Sequence, residues 1–198
     1  KRSEAIGVFN RVAKHDVGKE IAFAPDTPLN VLAAEASRSP NDARKVVPHI
    51  RALFNAGDYS TAFSHAKRLQ RGNPGASPAH ILVADTAMAR GDYNEALNAL
   101  DRAREIQFSE PVMLRIVEAL RAKGAMQESG EVLAQYLSYN PSNIAGLRWM
   151  AYAHLETENW EVARNILENL RKRIGENDAL IMAGLAQAYT GLGQTEKA

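Results

Sequence analysis

Apolar residues recur along most of the chain with the spacing of one helical face. Met113, Ile116, Val117 and Leu120 follow the i, i+3, i+4, i+7 rule, which is typical of an amphipathic helix. Similar apolar stripes precede and follow a series of short, turn-like phrases. No stretch alternates with period two for long enough to predict a strand. The pattern therefore predicts an all-α fold built from short helices.

A short phrase recurs at nearly constant intervals between these apolar stripes. It reads Gly57-Asp58-Tyr59-x-x-Ala62 and then Gly91-Asp92-Tyr93-x-x-Ala96. Weaker copies end at Ser129, Ala163 and Ala198, so the final small residues are 34, 33, 34 and 35 positions apart. A fixed period of this length indicates stacked two-helix units.

The small residue and the turn glycine of each phrase have distinct physical roles. Two antiparallel helices joined by a tight turn come close together only where a side chain is small. The small residues that supply this contact are Ala62, Ala96, Ser129, Ala163 and Ala198. Glycine suits the turn because a left-handed backbone costs it little. The turn positions hold Gly57, Gly91, Gly124, Glu158 and Gly193, so glutamate replaces glycine in one copy.

The two-helix unit of about 34 residues resembles the tetratricopeptide repeat family. The Gly-x-Tyr-x-x-Ala phrase and the prolines that mark helix ends, at Asn73-Pro74 and Asn140-Pro141, add to this resemblance. The resemblance covers roughly residues 43–198. It implies a right-handed α-solenoid, a superhelix of antiparallel helix pairs, whose first helices line a concave groove. It also implies a protein- or peptide-binding role without catalysis. The implied units are 43–76, 77–109, 110–143, 144–177 and a truncated 179–198.

Two segments depart from the regular period. Residues 1–42 predict an irregular or degenerate helical unit, with a helical face in Ser3–Lys14 and a helix at about Leu29–Arg38. Pro48 falls inside the first helix of the unit 43–76, where it predicts a kink or a delayed helix start.

The resemblance implies which side chains face the groove. They form a mixed apolar and charged lining, which suits an extended or helical segment with apolar anchors and both charge signs beside them. The groove positions are Val47, Arg51, Phe54, Ile81, Asp85, Met88, Leu114, Arg115, Glu118, Arg121, Arg148, Tyr152, Leu155 and Gln187.

The sequence contains no recognisable catalytic or metal-binding motif. Cysteine is absent, the five histidines show no helical metal-ligand spacing, and no Gly-x-Ser-x-Gly elbow occurs. We therefore expect no enzymatic activity, no cofactor and no metal. Family members that grip a chaperone's C-terminal carboxylates use lysine and asparagine one turn apart in the first helix, and a further asparagine and a Lys/Arg pair in the next two units. These positions here hold Val47, Arg51, Leu82, Pro111 and Arg115, of which only Arg115 matches, so a carboxylate-clamp co-chaperone is not expected.

Charge, hydropathy and chain ends restrict the partners further. The formal net charge is +1, although residues 1–75 carry 12 Lys and Arg against 7 Asp and Glu. This balance, without a basic domain that interleaves aromatic residues, predicts no nucleic-acid partner, and no apolar run is long enough to span a membrane. A chain that starts at Lys1 without a signal-peptide pattern and stops in a helical pattern is expected to be a fragment or a processed protein. Both cytoplasm and bacterial periplasm fit.

The main functional hypothesis is a non-enzymatic scaffold that binds a protein or peptide in its concave groove. One alternative is a repeat arm of a larger bacterial envelope protein, because the phrase from Ala66 to Pro74 resembles envelope repeat proteins that accompany exopolysaccharide production and protein sorting. Another is the docking arm of an enzyme such as a glycosyltransferase. Self-association through exposed terminal repeats is the last.

Overall fold

A computed structural model describes residues 27–197, and this part of the chain is entirely helical apart from turns. The all-α prediction is confirmed. The predicted helical face at Ser3–Lys14 and the last phrase residue, Ala198, lie outside the described residues. The helices are α1 (Leu29–Arg38), α2 (Ala43–Asn55), α3 (Tyr59–Gly72), α4 (Ser77–Ala89), α5 (Tyr93–Ile106), α6 (Glu110–Lys123), α7 (Met126–Tyr139), α8 (Ile144–Glu156), α9 (Trp160–Ile174) and α10 (Ala179–Gly191), followed by a 3-10 turn at Thr195–Lys197.

Short polar residues begin half of these helices. Their side-chain oxygens accept a hydrogen bond from a backbone N–H of the first turn, which satisfies donors that the helix itself leaves unpaired. The capping residues are Asp42, Asp58, Asp92, Asn143 and Asp178. Such caps contribute about 1 kcal/mol each, so local sequence fixes where these helices start.

The turn positions adopt the left-handed backbone that the sequence predicts. Gly57, Gly91, Gly124 and Gly193 have φ between 71° and 84°. Glu158 adopts the same conformation at φ 59° and is the only described non-glycine residue with positive φ. The repeat geometry therefore overrides the preference of the residue at this position.

The chain divides into two compact units, Lys1–Gly91 and Asp92–Ala198. In the first unit, α2 packs against α1 and α3, and α3 packs against α4. Helix α2 begins before Pro48, which is buried inside it, so the expected delay in the helix start is wrong. Ala62 is fully buried, as predicted for the close contact of a helix pair.

In the second unit, successive helices pack against one another from α5 to α10, and α8 also contacts α6 and α10. The predicted small residues Ala96, Ser129 and Ala163 are buried. Close packing extends to Gly184, where a Cβ atom would lie 2.9 Å from the Leu167 side chain. The proposed repeat boundaries stay a prediction, and the division between the compact units falls inside the predicted unit 77–109.

Candidate functional site

The first unit presents two short stripes of predicted groove residues. Val47, Arg51 and Phe54 lie at i, i+4 and i+7 on α2, and Ile81, Asp85 and Met88 repeat this spacing on α4. Residues with this spacing share one helix face, and each stripe has an apolar, charged, apolar order. All six side chains are exposed or half-buried. We call these six residues the first-unit stripes.

An aromatic pair extends the α2 stripe at the turn into α3. The rings of Phe54 and Tyr59 meet edge to face with centroids 5.0 Å apart, and each residue is 36% exposed. The repeated phrase that contains Tyr59 does not reveal this exposed contact. A second pair lies in the same unit, where the Arg90 guanidinium stands 4.5 Å from the centre of the Phe63 ring.

The remaining predicted groove residues lie in the second unit, and one of them is buried in the core. Leu155 is only 2% exposed and belongs to a core cluster with Leu167 and Leu185. It is covered because α8 packs against both α9 and α10, so its assignment to an open groove is wrong. The others are exposed or half-buried: Leu114, Arg115, Glu118, Arg121, Arg148, Tyr152 and Gln187.

The basic side chains among these residues bind neighbouring parts of the same unit. Arg121 on α6 forms a two-pronged ion pair with Glu156 on α8, and its guanidinium lies 5.2 Å from the Trp149 ring centre. Arg148 on α8 pairs with Asp178, the cap of α10, at 2.5 Å. These ion pairs link successive first helices, so both arginines have a structural role.

Tyr152 also links two helices of this unit. Its hydroxyl donates a hydrogen bond to the Leu180 carbonyl over 3.0 Å. Burial raises the pKa of Tyr152, and the charge of nearby Asp178 adds to this effect while Arg148 opposes it. The hydroxyl therefore stays a donor over the physiological pH range.

A shallow depression that the sequence does not predict lies between α8 and α9. It has a volume of about 320 Å³ and an apolar floor made by Leu147, Val162 and Ile166. Pro141, Asn165 and Asn169 complete its wall. Among residues 27–197, no titratable side chain lines this depression, so the described lining offers packing and amide hydrogen bonds.

Two histidines meet inside the first unit, although their sequence separation gives no hint of it. His49 on α2 and His65 on α3 have ring centroids 4.8 Å apart. Burial lowers the pKa of both imidazoles, with further lowering from the positive charge of the partner ring for His49 and of Arg68 for His65. Within residues 27–197, no group of three or more His, Cys, Asp or Glu residues could hold a metal ion.

Both ring nitrogens of His80 lie within hydrogen-bond distance of a partner. One ring nitrogen is 2.9 Å from the Gln70 amide and the other is 2.8 Å from the Pro74 carbonyl. Its role is therefore to hold the α3–α4 turn.

In the described part of the chain, none of the helices is long and apolar enough to cross a membrane.

Comparison with known proteins places this fold in context. The tetratricopeptide repeat profile matches residues 53–120, and no curated protein sequence matches the chain significantly. The solved structure of YrrB, a TPR protein with an unusual peptide-binding site, is similar at a TM-score of 0.62 and 10% identity, covering 86% of this chain and 88% of that one. MamA is similar at a TM-score of 0.62 and 14% identity, covering 85% of both chains.

A third similar structure is that of a thermophilic TPR protein from Thermus thermophilus. It has a TM-score of 0.60 and 16% identity, and the match covers 82% of this chain and 89% of that one. At these identities the structures establish the fold alone, and the profile match is limited to residues 53–120. The described part of the chain therefore has the all-α helical repeat fold of these structures, and residues 53–120 are similar to the tetratricopeptide repeat.

Proposed function

We propose that this chain is a non-enzymatic scaffold that binds a peptide segment of a partner protein on the first-unit stripes. The repeat fold supports the general role of protein interaction. The observation that carries the finer proposal is the set of half-exposed apolar side chains on α2 and α4, namely Val47, Phe54, Ile81 and Met88. Apolar anchors on a rigid helix face are a common way to bind extended or helical segments.

The first unit is a better candidate than the second for this role. In the second unit, Arg121, Arg148 and Tyr152 already bind groups of neighbouring helices. A partner that bound them would have to break contacts that hold the repeat together. In the first unit, Phe54 contacts only an equally exposed Tyr59 among the described aromatic rings. A ligand can cover this pair without disrupting the fold.

The test is a selection from a random peptide library against the intact chain. Peptides that are recovered should lose at least tenfold in affinity for a Phe54→Ser variant, because an aromatic anchor contributes more than about 1.4 kcal/mol at a typical interface. Tyr139→Ser is the matched control, since Tyr139 is 73% exposed and lies on α7 in the other unit. Equal losses for both variants, or no loss for Phe54→Ser, would contradict the proposal.

Self-association is a second candidate, supported by the surface of α10. This helix is mostly apolar, and two of its large apolar residues are exposed: Leu180 by 56% and Met182 by 39%. Helices with apolar residues all round are normally covered on every side. Sedimentation velocity over a hundredfold concentration range tests the idea: dimers should form with the natural chain and disappear with Leu180→Gln. A monomer at every concentration would rule it out.

The two larger contexts, a bacterial envelope repeat protein and the docking arm of an enzyme, stay predictions. The complete gene product decides between them, since an upstream lipoprotein signal would support the first context and an adjoining catalytic domain the second.

A further inference from the structure

The charged residues of the α2–α3 helix pair all have the same sign. The two helices contain six Lys and Arg residues and no Asp or Glu. The six cationic residues are Arg44, Lys45, Arg51, Lys67, Arg68 and Arg71. Because the formal net charge of the whole chain is only +1, this excess is local. A local excess of positive charge attracts negatively charged partners.

The carboxylates at the start of these helices and on α1 already have partners. The aspartate caps of α2 and α3 accept hydrogen bonds from backbone N–H groups of the first turns. Asp42, the cap of α2, also binds the Arg44 side chain at 3.1 Å. Glu35 on α1 binds Lys45, likewise at 3.1 Å. These contacts neutralise two of the six cations and do not involve Arg51.

Arg51 lies at the centre of the α2 stripe, between Val47 and Phe54, and is exposed. Within residues 27–197, none of the ion pairs involves this arginine. Asp85 is the one acid of the first-unit stripes, and it already interacts with another group of the chain. The charge that the stripes offer to a partner is therefore positive.

A second guanidinium lies near the aromatic end of the α2 stripe. Phe54 contacts Tyr59, and Phe63 follows Tyr59 by one helical turn on α3. The exposed Arg90 stands 4.5 Å from the centre of the Phe63 ring. The aromatic anchor of the stripes thus has Arg51 one turn before it on α2 and Arg90 beside the neighbouring rings.

We infer that the first-unit stripes bind an acidic peptide segment, which places an apolar side chain on Phe54 and carboxylates beside Arg51 and Arg90. This inference rests on the proposed function and adds the chemistry of the partner. Guanidinium groups pair with carboxylates through two parallel hydrogen bonds, and such pairs at the rim of an interface speed association and select the partner. The aliphatic residues Val47 and Ile81 suit peptide side chains, whereas single-stranded nucleic acid needs open aromatic faces for stacking.

The peptides selected from a random library against the intact chain test this chemistry. They should contain more Asp and Glu than Lys and Arg, and Arg51→Gln should weaken their binding about threefold to fivefold, the size expected for an exposed ion pair. Arg71→Gln is the matched control, because Arg71 is also exposed but lies about 18 Å along α3 from Tyr59. At an ionic strength of about 0.15 M, where the Debye length is about 8 Å, this variant should bind like the natural chain. Far-UV circular dichroism should show an intact fold for both variants.

A second measurement changes the peptide instead of the protein. Replacing the Asp and Glu residues of a recovered peptide by Asn and Gln should weaken its binding to the natural chain, and it should have a smaller effect on binding to Arg51→Gln, because the two changes remove the same interaction. Added NaCl should likewise weaken binding more for the natural chain than for Arg51→Gln.

The outcomes separate this inference from the proposed function. Peptides that depend on Phe54 but show no excess of acidic residues, or that bind Arg51→Gln and Arg71→Gln equally well, would overturn the inference and leave the proposed function standing. Peptides that do not depend on Phe54 would refute both. A short single-stranded DNA that displaces the peptide and binds Arg51→Gln more weakly would identify a nucleic-acid surface, and this result would also overturn the inference.

Discussion

Replacing Glu158 by glycine should stabilise the second unit. Glu158 holds φ at 59°, and its counterparts in the other described turns are all glycine. A side chain in this left-handed conformation costs roughly 1–2 kcal/mol. Glycine removes that strain but loses about 0.5–1 kcal/mol through the greater freedom of the unfolded chain. The net gain is about 0.5–1 kcal/mol, or an increase of about 1–4 °C in Tm for a chain of this size.

Two further variants separate backbone strain from other effects. Glu158→Ala removes the charge but keeps the Cβ atom, so its stability should stay within about 0.5 kcal/mol of the natural chain. Gly124→Ala introduces the same strain at φ 84°, where a Cβ atom would meet nothing within 4 Å. It should lower stability by about 0.5–1 kcal/mol, because the strain exceeds the entropy that alanine saves.

Tryptophan fluorescence during urea unfolding measures these effects directly. The two tryptophans of the chain, Trp149 and Trp160, lie on the helices that flank the Glu158 turn. The unfolding midpoint should therefore rise for Glu158→Gly and fall for Gly124→Ala. A Glu158→Gly variant that is no more stable than Glu158→Ala would refute the argument from backbone strain.

Three more predictions concern packing and pH. Ala163→Leu should destabilise the second unit by about 1–3 kcal/mol, because overpacking a fully buried position forces neighbours apart, and urea unfolding measures the loss. Gly191→Ala should shift the emission of Trp160, since the new Cβ atom would overlap the indole ring and must displace it; an unchanged spectrum would contradict the packing. The urea midpoint should fall as the pH drops below 6.5. The pKa values of His49 and His65 are lowered in the fold, so the unfolded chain binds more protons at these residues than the folded chain does. His65→Gln should make the urea midpoint less dependent on pH. An equal pH dependence in both proteins would contradict a lowered pKa of His65 in the fold.

The sequence predicts the helix pairs well because their signals are local. Small residues such as Ala62 and Ala163 must be buried where two helices cross, and the glycines of the turns must adopt positive φ. The helix at Leu29–Arg38 is present with the expected bounds. The expected effect of Pro48 on the start of α2 is wrong because the Asp42 cap begins the helix one turn earlier.

The candidate site is less predictable because it depends on contacts between helices. Leu155 occupies a groove position by its place in the repeat, but α10 covers it in the fold. The pairing of Arg121 with Glu156 joins residues 35 positions apart, and the contact of His49 with His65 joins two helices with no helical spacing between them. The spacing of residues within a single helix cannot predict these contacts, because they join side chains of different helices.

The most direct test of the binding proposal uses one fluorescent probe beside the first-unit stripes and a second probe in the other unit. Because the chain contains no cysteine, single cysteines at the exposed Asn55, next to Phe54 on α2, and, as a control, at Tyr139 accept an environment-sensitive dye without competing labels. Titration with a library-selected peptide should change the emission at position 55 and leave position 139 unaffected. A response at position 139 alone, or equal responses at both positions, would contradict binding on the first-unit stripes.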